Sequence, residues 1–364
     1  MKNIVLFPGA FDPIHDGHIN MAIEASRQLD ADIFFIPARI SVWKTDSAPI
    51  EDKIAMLELA LKSSNDHSRM HISRYEADSK EDVNYSINTV KYFAKEYNDS
   101  KIYLLIGTDQ VNSFHKWKEA DEIARLATII FFNRPGLELS KENIERFKMV
   151  EIKGDLKPVS SSDIRDLKCL DTPDRVIDYI IEHNLYFIDK IRNYMNEKRF
   201  IHSISTAKLS YEIAQANHIK DAKKALIAAL IHDIGKEMPM NKQKKIMVEH
   251  FSEYIDYPPV IYHQFIGAYL AEKDFGITDP VILDAIKYHT TANSNMSDVA
   301  IIVHCADKIE PTRNFNSKNL INSLKSSLMN GFVDTLKSNI EYYERKGIDY
   351  KNDLQMVCLN QYLK

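Results

Sequence analysis

Cysteine, glycine and long apolar runs are all scarce in this sequence, and each scarcity excludes something. Cysteine occurs only at Cys169, Cys305 and Cys358, an odd number spread far apart, so a disulfide framework is not expected. Glycine fills 10 of 364 positions, well below the roughly 7% of average usage. Each glycine is therefore expected to mark a turn or a close approach of two backbones. No apolar stretch approaches the ~20 residues of a membrane helix. The opening residues MKNIVLFPGAFDP read as a strand and turn rather than a secretion signal, and the expectation is a cytoplasmic protein. Positive charge is not in excess: 47 Lys and Arg face 52 Asp and Glu, a net charge of −5, with no basic run. That balance argues against a nucleic-acid or anionic-membrane binder but leaves room for local basic pockets that hold phosphates. Low-complexity linkers and internal repeats are missing too.

What is present is an ordinary globular composition, 45% apolar and 27% charged, in a chain long enough for two domains. Up to about residue 155, short apolar runs (4–7, 33–36, 70–73, 102–106 and 128–132) alternate with helical patterns near 18–29, 51–63, 84–97 and 115–126. Such alternation predicts crossover connections and a parallel sheet covered on both faces. Ligands of such sheets bind beyond the carboxyl ends of the strands, which singles out 8–18 and 107–109. A short helix over 162–168 and another opened by Pro173 follow. Beyond residue 189 nearly every segment has helical period: 200–216, 221–236, 241–249, 264–275, 280–289 and 298–310. The expected architecture is an α/β domain over 1–187 and an all-α helical bundle over 188–364.

The stretch Gly9-Ala10-Phe11-Asp12-Pro13-Ile14-His15-Asp16-Gly17-His18 follows a strand and opens a helix. His15 and His18 lie at the helix start, where unpaired N–H groups already favour anions. Two imidazoles and a helix amino end form a phosphate cradle without a P-loop lysine. This segment resembles the G-x-F-D-P-x-H-x-G-H signature of the nucleotidyltransferase superfamily, whose fold is Rossmann-like. Further residues resemble its bacterial nicotinate-nucleotide adenylyltransferases: Asn84-Tyr85-Ser86-Ile87-Asn88-Thr89, Gly107-Thr108-Asp109 followed by Trp117, Arg134-Pro135-Gly136 and Ser161-Ser162-Asp163-Ile164-Arg165. Two departures stand out. Ser41-Val42-Trp43-Lys44 keeps the lysine of the family's P-P-H-K but not its histidine, and Asp52-Lys53 stands where an arginine often opens the next helix.

The resemblance implies transfer of the adenylyl group of ATP to nicotinate mononucleotide, with Mg²⁺ accompanying the triphosphate. It implies that His15, His18 and Arg165 are catalytic, that Ser162 caps the helix beside Arg165, and that Trp117 stacks on the pyridine ring. Gly9, Phe11, Asp12, Lys44, Tyr85, Thr89, Gly107, Asp109, Arg134, Ser161 and Ser162 would contact substrate. Taken alone, Trp117 reads equally well as core. Whether the acceptor carries a carboxylate or an amide stays open at this level.

A second constellation lies in the helical half. Seven small or apolar residues, 225–231, run directly into His232-Asp233-Ile234-Gly235-Lys236. A carboxylate in such surroundings is costly unless it is paired or bound to a cation. His202, His263, His289 and Asp307 are further candidates. The gaps are 30 residues from 202 to 232, 30 from 233 to 263, 26 to 289 and 18 to 307. Each is about one helix plus its return, so each ligand can come from a separate helix facing one core. Mixed imidazole and carboxylate shells suit divalent Fe, Mn or Zn.

The order H…HD…H…H…D resembles the HD phosphohydrolase superfamily. The segments 263–269, 288–296 and 306–313 resemble its bacterial YqeK-type group, which splits diadenosine tetraphosphate symmetrically into two ADP. By that resemblance His202, His232, Asp233 and Asp307 bind one metal and His263 and His289 a second, with Asp233 shared and catalytic. Iron is the favoured metal. Lys236 and Arg313 are candidate phosphate contacts, for which a solvated helix face is an equal reading. A regulatory nucleotide-binding module is the alternative for this half. His304, one turn before Asp307, is expected to be structural. Partners would be ATP, nicotinate mononucleotide and diadenosine tetraphosphate, with no nucleic acid or membrane, and homo-oligomers open.

Overall fold

The computed structural model describes residues 2–39, 47–64, 67–81, 83–133, 138–154, 159–313 and 315–363. Lys44 and Arg134 lie outside these residues. Contacts divide the chain into two units, 1–165 with 171–186, and 166–170 with 187–364.

The first unit runs β1 (Lys2–Gly9), α1 (Asp16–Leu29), β2 (Ala31–Pro37), α2 (Ile50–Lys62), β3 (Met70–Ile72), α3 (Ser86–Glu96), β4 (Ser100–Ile106) and α4 (Thr108–Ser113). It continues with α5 (Ala120–Leu126), β5 (Thr128–Phe132), α6 (Lys141–Arg146), β6 (Val150–Ile152), α7 (Ser161–Arg165) and α8 (Asp174–Glu182). The six strands form one parallel sheet in the order β3-β2-β1-β4-β5-β6. Ile4, Val5 and Leu6 of β1 are all fully buried, as expected of a central strand covered on both faces. The chain winds outward from β1 through β2 to β3, then returns to β4 on the other side. Loops leaving β1 and β4 therefore part in opposite directions and open a crevice at their carboxyl ends. Gly9 and Gly107 stand at its two lips.

Three expectations need correction in this unit. The helix over 115–126 is only Ala120–Leu126, because Trp117 is extended and Glu119 takes a left-handed φ of 54°. The helix over 162–168 stops at Arg165, with Leu167 left-handed at φ 61°. The sheet also has a sixth strand, β6, which at three residues is too short to show alternation.

The second unit is helical: α9 (Phe187–Arg192), α10 (Glu197–Ala216), α11 (Ala222–Ile231), α12 (Met240–His250), α13 (Tyr262–Phe275), α14 (Pro280–Lys287), α15 (Asp298–Ile309), α16 (Lys318–Ser326), α17 (Leu328–Lys346) and α18 (Asp353–Tyr362). Side-chain caps set several starts: Asn196 for α10, Asp279 with Pro280 for α14, and Ser297 for α15. Helix α11, buried on every side from Ala225 to Ile231, packs against α10, α14 and α15. It ends five residues before the expected 236, and His232 and Asp233 lie in the turn that follows. No helix among the described residues is long and apolar enough to cross a membrane.

Candidate active sites

In the first unit, His15 caps α1: its Nδ1 accepts from the His18 backbone N–H at 3.3 Å. With Nδ1 accepting, a neutral ring carries its proton on Nε2 and offers it as a donor. The His15 and His18 rings stack at 3.6 Å, 24° from parallel. Phe11, in the left-handed region at φ 46°, sets its ring edge-on to His18 at 5.1 Å. Gly9 is required there, since a Cβ on it would lie 2.9 Å from the Phe11 ring.

Gly9 and Phe11, expected as substrate contacts, thus form the wall behind His18, with Phe11 only 1% exposed. Asp12 is also turned inward. Its Oδ1 accepts from the Tyr186 hydroxyl at 2.8 Å and the Ala48 N–H at 3.1 Å. Burial, then the Asp12 charge, pushes the Tyr186 phenol far above its ordinary value, so it remains a donor. Arg165 donates to the Asp12 carbonyl at 2.5 Å and lies 3.8 Å from its carboxylate. The Ser161 hydroxyl donates to the Pro13 carbonyl at 2.9 Å, and Thr172 to Ile14 at 2.7 Å. The histidine-bearing loop is thereby tied to residues about 150 positions away. The cap of α7 is Ser160, accepting from Asp163 N–H at 3.1 Å, and not Ser162, which is exposed.

Across the crevice, Gly107 caps α4, and Asp109 folds its carboxylate back so that a Cβ on Gly107 would lie 2.7 Å from Oδ1. Asp109 is exposed and accepts from Gln110 at 2.7 Å. Trp117 is half-buried against Phe114, with ring centroids 5.1 Å apart. Tyr85 is 41% exposed, and the Lys118 ammonium lies 4.2 Å over its ring. Thr89 is buried and spends its hydroxyl on Glu76 at 2.6 Å. Burial outweighs that bond and raises the Glu76 carboxyl above its ordinary range. A cleft of about 470 Å³ is bordered by Arg74, Glu76, Tyr85, Asn88, Thr89 and Tyr92. Glu76 and Tyr186 carried no signal in the sequence, because each is defined by a partner distant along the chain.

In the second unit the six expected ligands converge. Asp233 Oδ1 is 3.4 Å from His263 Nε2 and 3.6 Å from His289 Nε2. Its Oδ2 is 3.6 Å from His232 Nε2. Asp307 Oδ1 lies 3.1 Å from His202 Nε2 and 3.6 Å from His232 Nε2. Two groups result, His202–His232–Asp233 and Asp233–His263–His289, each with ligand atoms within 4.8 Å of one another.

The ring tautomers are set by a repeated device. Nδ1 of His232, His263 and His289 faces the carbonyl three residues earlier, at 2.7, 2.9 and 2.7 Å. Nδ1–H therefore donates outward and the Nε2 lone pair points in, the orientation a metal ligand needs. Lone pairs facing carboxylates and one another (His263 Nε2 to His289 Nε2 is 3.1 Å) repel unless cations stand among them. His232 Nε2 is buried without a hydrogen-bond partner. The donor set fits divalent metals.

Gly235 and Gly267 make this convergence possible. A Cβ on Gly235 would lie 2.8 Å from the His263 carbonyl, and one on Gly267 3.0 Å from the His232 carbonyl. The turn after α11 can therefore sit against the first turns of α13 and bring Asp233 to His263.

Charge around the ligands is dense. Burial works to raise the Asp233 carboxyl, but His232 and the other rings hold it well below its ordinary value. Asp307 is likewise held down against burial, chiefly by Lys308, whose ammonium is 2.9 Å away. His202 is pulled down by burial but raised to about 9 by Asp307 and by Glu310, which it meets through Nδ1 at 2.9 Å. Lys236 lies 3.0 Å from His263 Nε2, Arg313 donates to Asp307 Oδ1 at 2.8 Å, and Arg199 pairs with Asp233. Arg199, Glu310 and Lys308 were not singled out from the sequence. Arg199 and Glu310 are each three residues from an expected ligand, one helical turn, and that spacing is the signal that could have found them. His304 is buried, with Nδ1 on the His289 carbonyl at 2.9 Å, and so holds the backbone of an expected ligand.

Two family models match the chain, Cytidylyltransferase-like over residues 6–167 and HD domain over 199–312. It is 32% identical to the probable nicotinate-nucleotide adenylyltransferase/Ap4A hydrolase of Mycoplasma genitalium, over 92% of this chain and 97% of that protein. A 146-residue stretch is 36% identical to a probable nicotinate-nucleotide adenylyltransferase of Aquifex aeolicus, over 39% of this chain and 84% of the relative. A 159-residue stretch is 30% identical to the symmetrical bis(5'-nucleosyl)-tetraphosphatase of Bacillus subtilis, over 43% of this chain and 85% of the relative.

Proposed function

The chain belongs to the family of nicotinate-nucleotide adenylyltransferase/Ap4A hydrolases, and we propose that it carries out both reactions, one in each unit. Residues 1–187 transfer the adenylyl group of ATP to nicotinate mononucleotide, giving deamido-NAD and pyrophosphate. Residues 188–364 hydrolyse diadenosine tetraphosphate to two ADP. The observation that carries this reading is the pairing, in one chain, of a stacked imidazole pair at a helix start with a cluster of inward-facing Nε2 atoms around one shared carboxylate.

In the transferase an oxygen of the mononucleotide phosphate attacks the α-phosphorus of ATP, a P–O bond forms, and the bond to the leaving pyrophosphate breaks. Little covalent work falls to the protein, so positioning and charge neutralisation dominate. His15 and His18 donate ring N–H groups to the phosphates, and Arg165 adds a planar fork. Lys44, Arg134, Ser161 and Ser162 complete the phosphate contacts. Trp117, Tyr85, Gly107 and Asp109 receive the mononucleotide, while Gly9, Phe11, Asp12 and Thr89 hold the walls. Mg²⁺ travels with the triphosphate, held largely by phosphate and water.

In the hydrolase His202, His232, Asp233 and Asp307 hold one divalent metal, and His263, His289 and Asp233 a second; iron is the proposed ion. When bound, such ions neutralise charge on the reacting phosphate and activate water. The chain's own side chains do the rest: Glu310 orients His202, and Lys236 and Arg313 contact phosphate oxygens.

A substrate panel tests both halves. ATP is supplied with nicotinate mononucleotide or its amide, then diadenosine tetraphosphate with Fe²⁺, Mn²⁺, Zn²⁺ or Mg²⁺. Deamido-NAD from the first and ADP alone from the second are expected. Binding of the tetraphosphate without ADP release under any metal would make the helical half a regulatory module instead.

A further inference from the structure

Thr290, the residue after His289, places its hydroxyl oxygen inside the second ligand group. Its Oγ1 lies 3.1 Å from His263 Nε2 and 3.0 Å from His289 Nε2. Those two nitrogens are themselves 3.1 Å apart, so the three atoms form a nearly equilateral triangle. Asp233 Oδ1 lies 3.4 and 3.6 Å from the same two nitrogens. Bonds of about 2.0–2.2 Å from one cation put neighbouring donor atoms roughly 3.0–3.6 Å apart, and all five of these distances fall in that range.

The triangle is short of protons. Nδ1–H of His263 and of His289 is engaged by the carbonyls of Val260 and Ile286, at 2.9 and 2.7 Å, so both Nε2 atoms present lone pairs. The Thr290 hydroxyl has one proton and can donate it to one nitrogen at a time. The other edges set lone pair against lone pair, an arrangement that a cation within the group relieves. A buried amide holds the hydroxyl there. Gln264, next to His263 on α13 and 0% exposed, accepts through Oε1 from the backbone N–H groups of Thr290 and Thr291, both at 3.2 Å. Its Nε2 donates to the Thr291 hydroxyl at 3.2 Å. An amide buried in this way is costly unless paired, and its pairing fixes the turn after α14 against the helix that carries His263.

We propose that Thr290 is a fourth protein donor for the second cation, its hydroxyl oxygen binding together with His263, His289 and Asp233. This rests on the cation-binding part of the hydrolase reading above. The second group then has four side chains, as the first has in His202, His232, Asp233 and Asp307. A neutral oxygen takes the place that Asp307 fills in the first, so the second group reaches four donors with Asp233 as its one carboxylate.

The test titrates full-length, chelator-stripped protein with Co²⁺. Binding is followed by calorimetry and by the visible absorption of bound Co²⁺, which reports its coordination. His289→Ala marks the binding step that belongs to the second group. Thr290→Val keeps the shape of the side chain and removes the oxygen. In that variant the marked step is expected to weaken about tenfold or more, since even outer support for a ligand is worth 10–100-fold, and its absorption to change. Thr290→Ser is expected to restore both. The other step, and adenylyl transfer by the first unit, should stay at wild-type values and so report an intact fold. An unchanged affinity and spectrum in Thr290→Val overturns the proposal. So does an equal loss in Thr290→Ser, since the methyl group and not the oxygen would then matter. Loss of both steps in Thr290→Val overturns it too, because the residue would then be structural. Wild-type protein that binds fewer than two Co²⁺ removes the cation reading itself. Wild-type protein that binds two but leaves diadenosine tetraphosphate intact loses the hydrolase reading and keeps this assignment.

Discussion

The two units handle phosphate with opposite constructions. In the first, the imidazole pair lies within one ten-residue stretch, Gly9 to His18, shaped by a helix start and by Phe11 packed behind it. In the second, the candidate ligands come from 106 residues of chain, from His202 to Asp307, and meet only because α10, α11, α13, α14 and α15 share a core. The contiguous stretch takes its shape from local backbone geometry and is then tied in place by Ser161, Thr172 and Tyr186 from far along the chain. A dispersed site depends on every helix that supplies it, and on close approaches such as that of Gly235 to the His263 carbonyl.

The largest expected contrast comes from breaking each centre separately. Asp233→Asn removes the carboxylate shared by both ligand groups, and hydrolysis should fall by more than about 100-fold, because even residues that only support a metal ligand cost 10–100-fold. Adenylyl transfer by that variant should match wild type. His18→Ala should do the reverse, lowering dinucleotide synthesis by about 100-fold or more, the scale for losing one donor to a charged transition state. Steady-state assays of both activities on both variants check the pair. A variant that damages both reactions equally would argue against independent sites.

Glu310→Gln sharpens the contrast at smaller scale. Glu310 is held down to about 2, against the pull of burial, by bonds from His202 and Thr312, and so is a carboxylate at any working pH. Replacing it should weaken the ion at His202 by about 10–100-fold and leave the ion at His263 and His289 bound. Metal titration resolving two affinities is the measurement. An unchanged weaker and stronger step would show that His202 is oriented by something else.

The smallest effect concerns acid stability. His304 takes up a proton near pH 6.5 in the unfolded chain, but burial, then the Lys308 charge, holds this off to about 3 in the folded protein. Between those values the unfolded state binds more protons, so acidification favours unfolding by at most ~1.4 kcal/mol per pH unit. His304→Asn keeps an N–H donor for the His289 carbonyl and removes the titration. In chelator, its urea midpoint should fall less steeply than wild type from pH 6.5 to 5.

Much of this is legible in the sequence alone. Strand–helix alternation up to residue 155 implied the parallel sheet, since buried central strands such as 4–7 leave unbroken apolar runs. The six candidate ligands were legible as an order with helix-length gaps. Less legible were the short elements, β6 and the broken helix after Trp117, where too few residues exist to show a period. The inward turn of Phe11, Asp12 and Thr89 was hidden as well. Residue type announces chemistry there, while Tyr186, Ala48 and Glu76 absorb it.

The sequence by itself determined the two architectures, the imidazole pair at a helix start and the candidate cation ligands, because each shows as a pattern along one backbone. Tertiary structure alone decided that Glu310 backs His202, that Arg199 reaches Asp233 and that Tyr186 holds Asp12. Those contacts join residues 34 to 174 positions apart. Such pairings are set by how helices and strands pack, and packing depends on the shape of the whole core rather than on any local pattern.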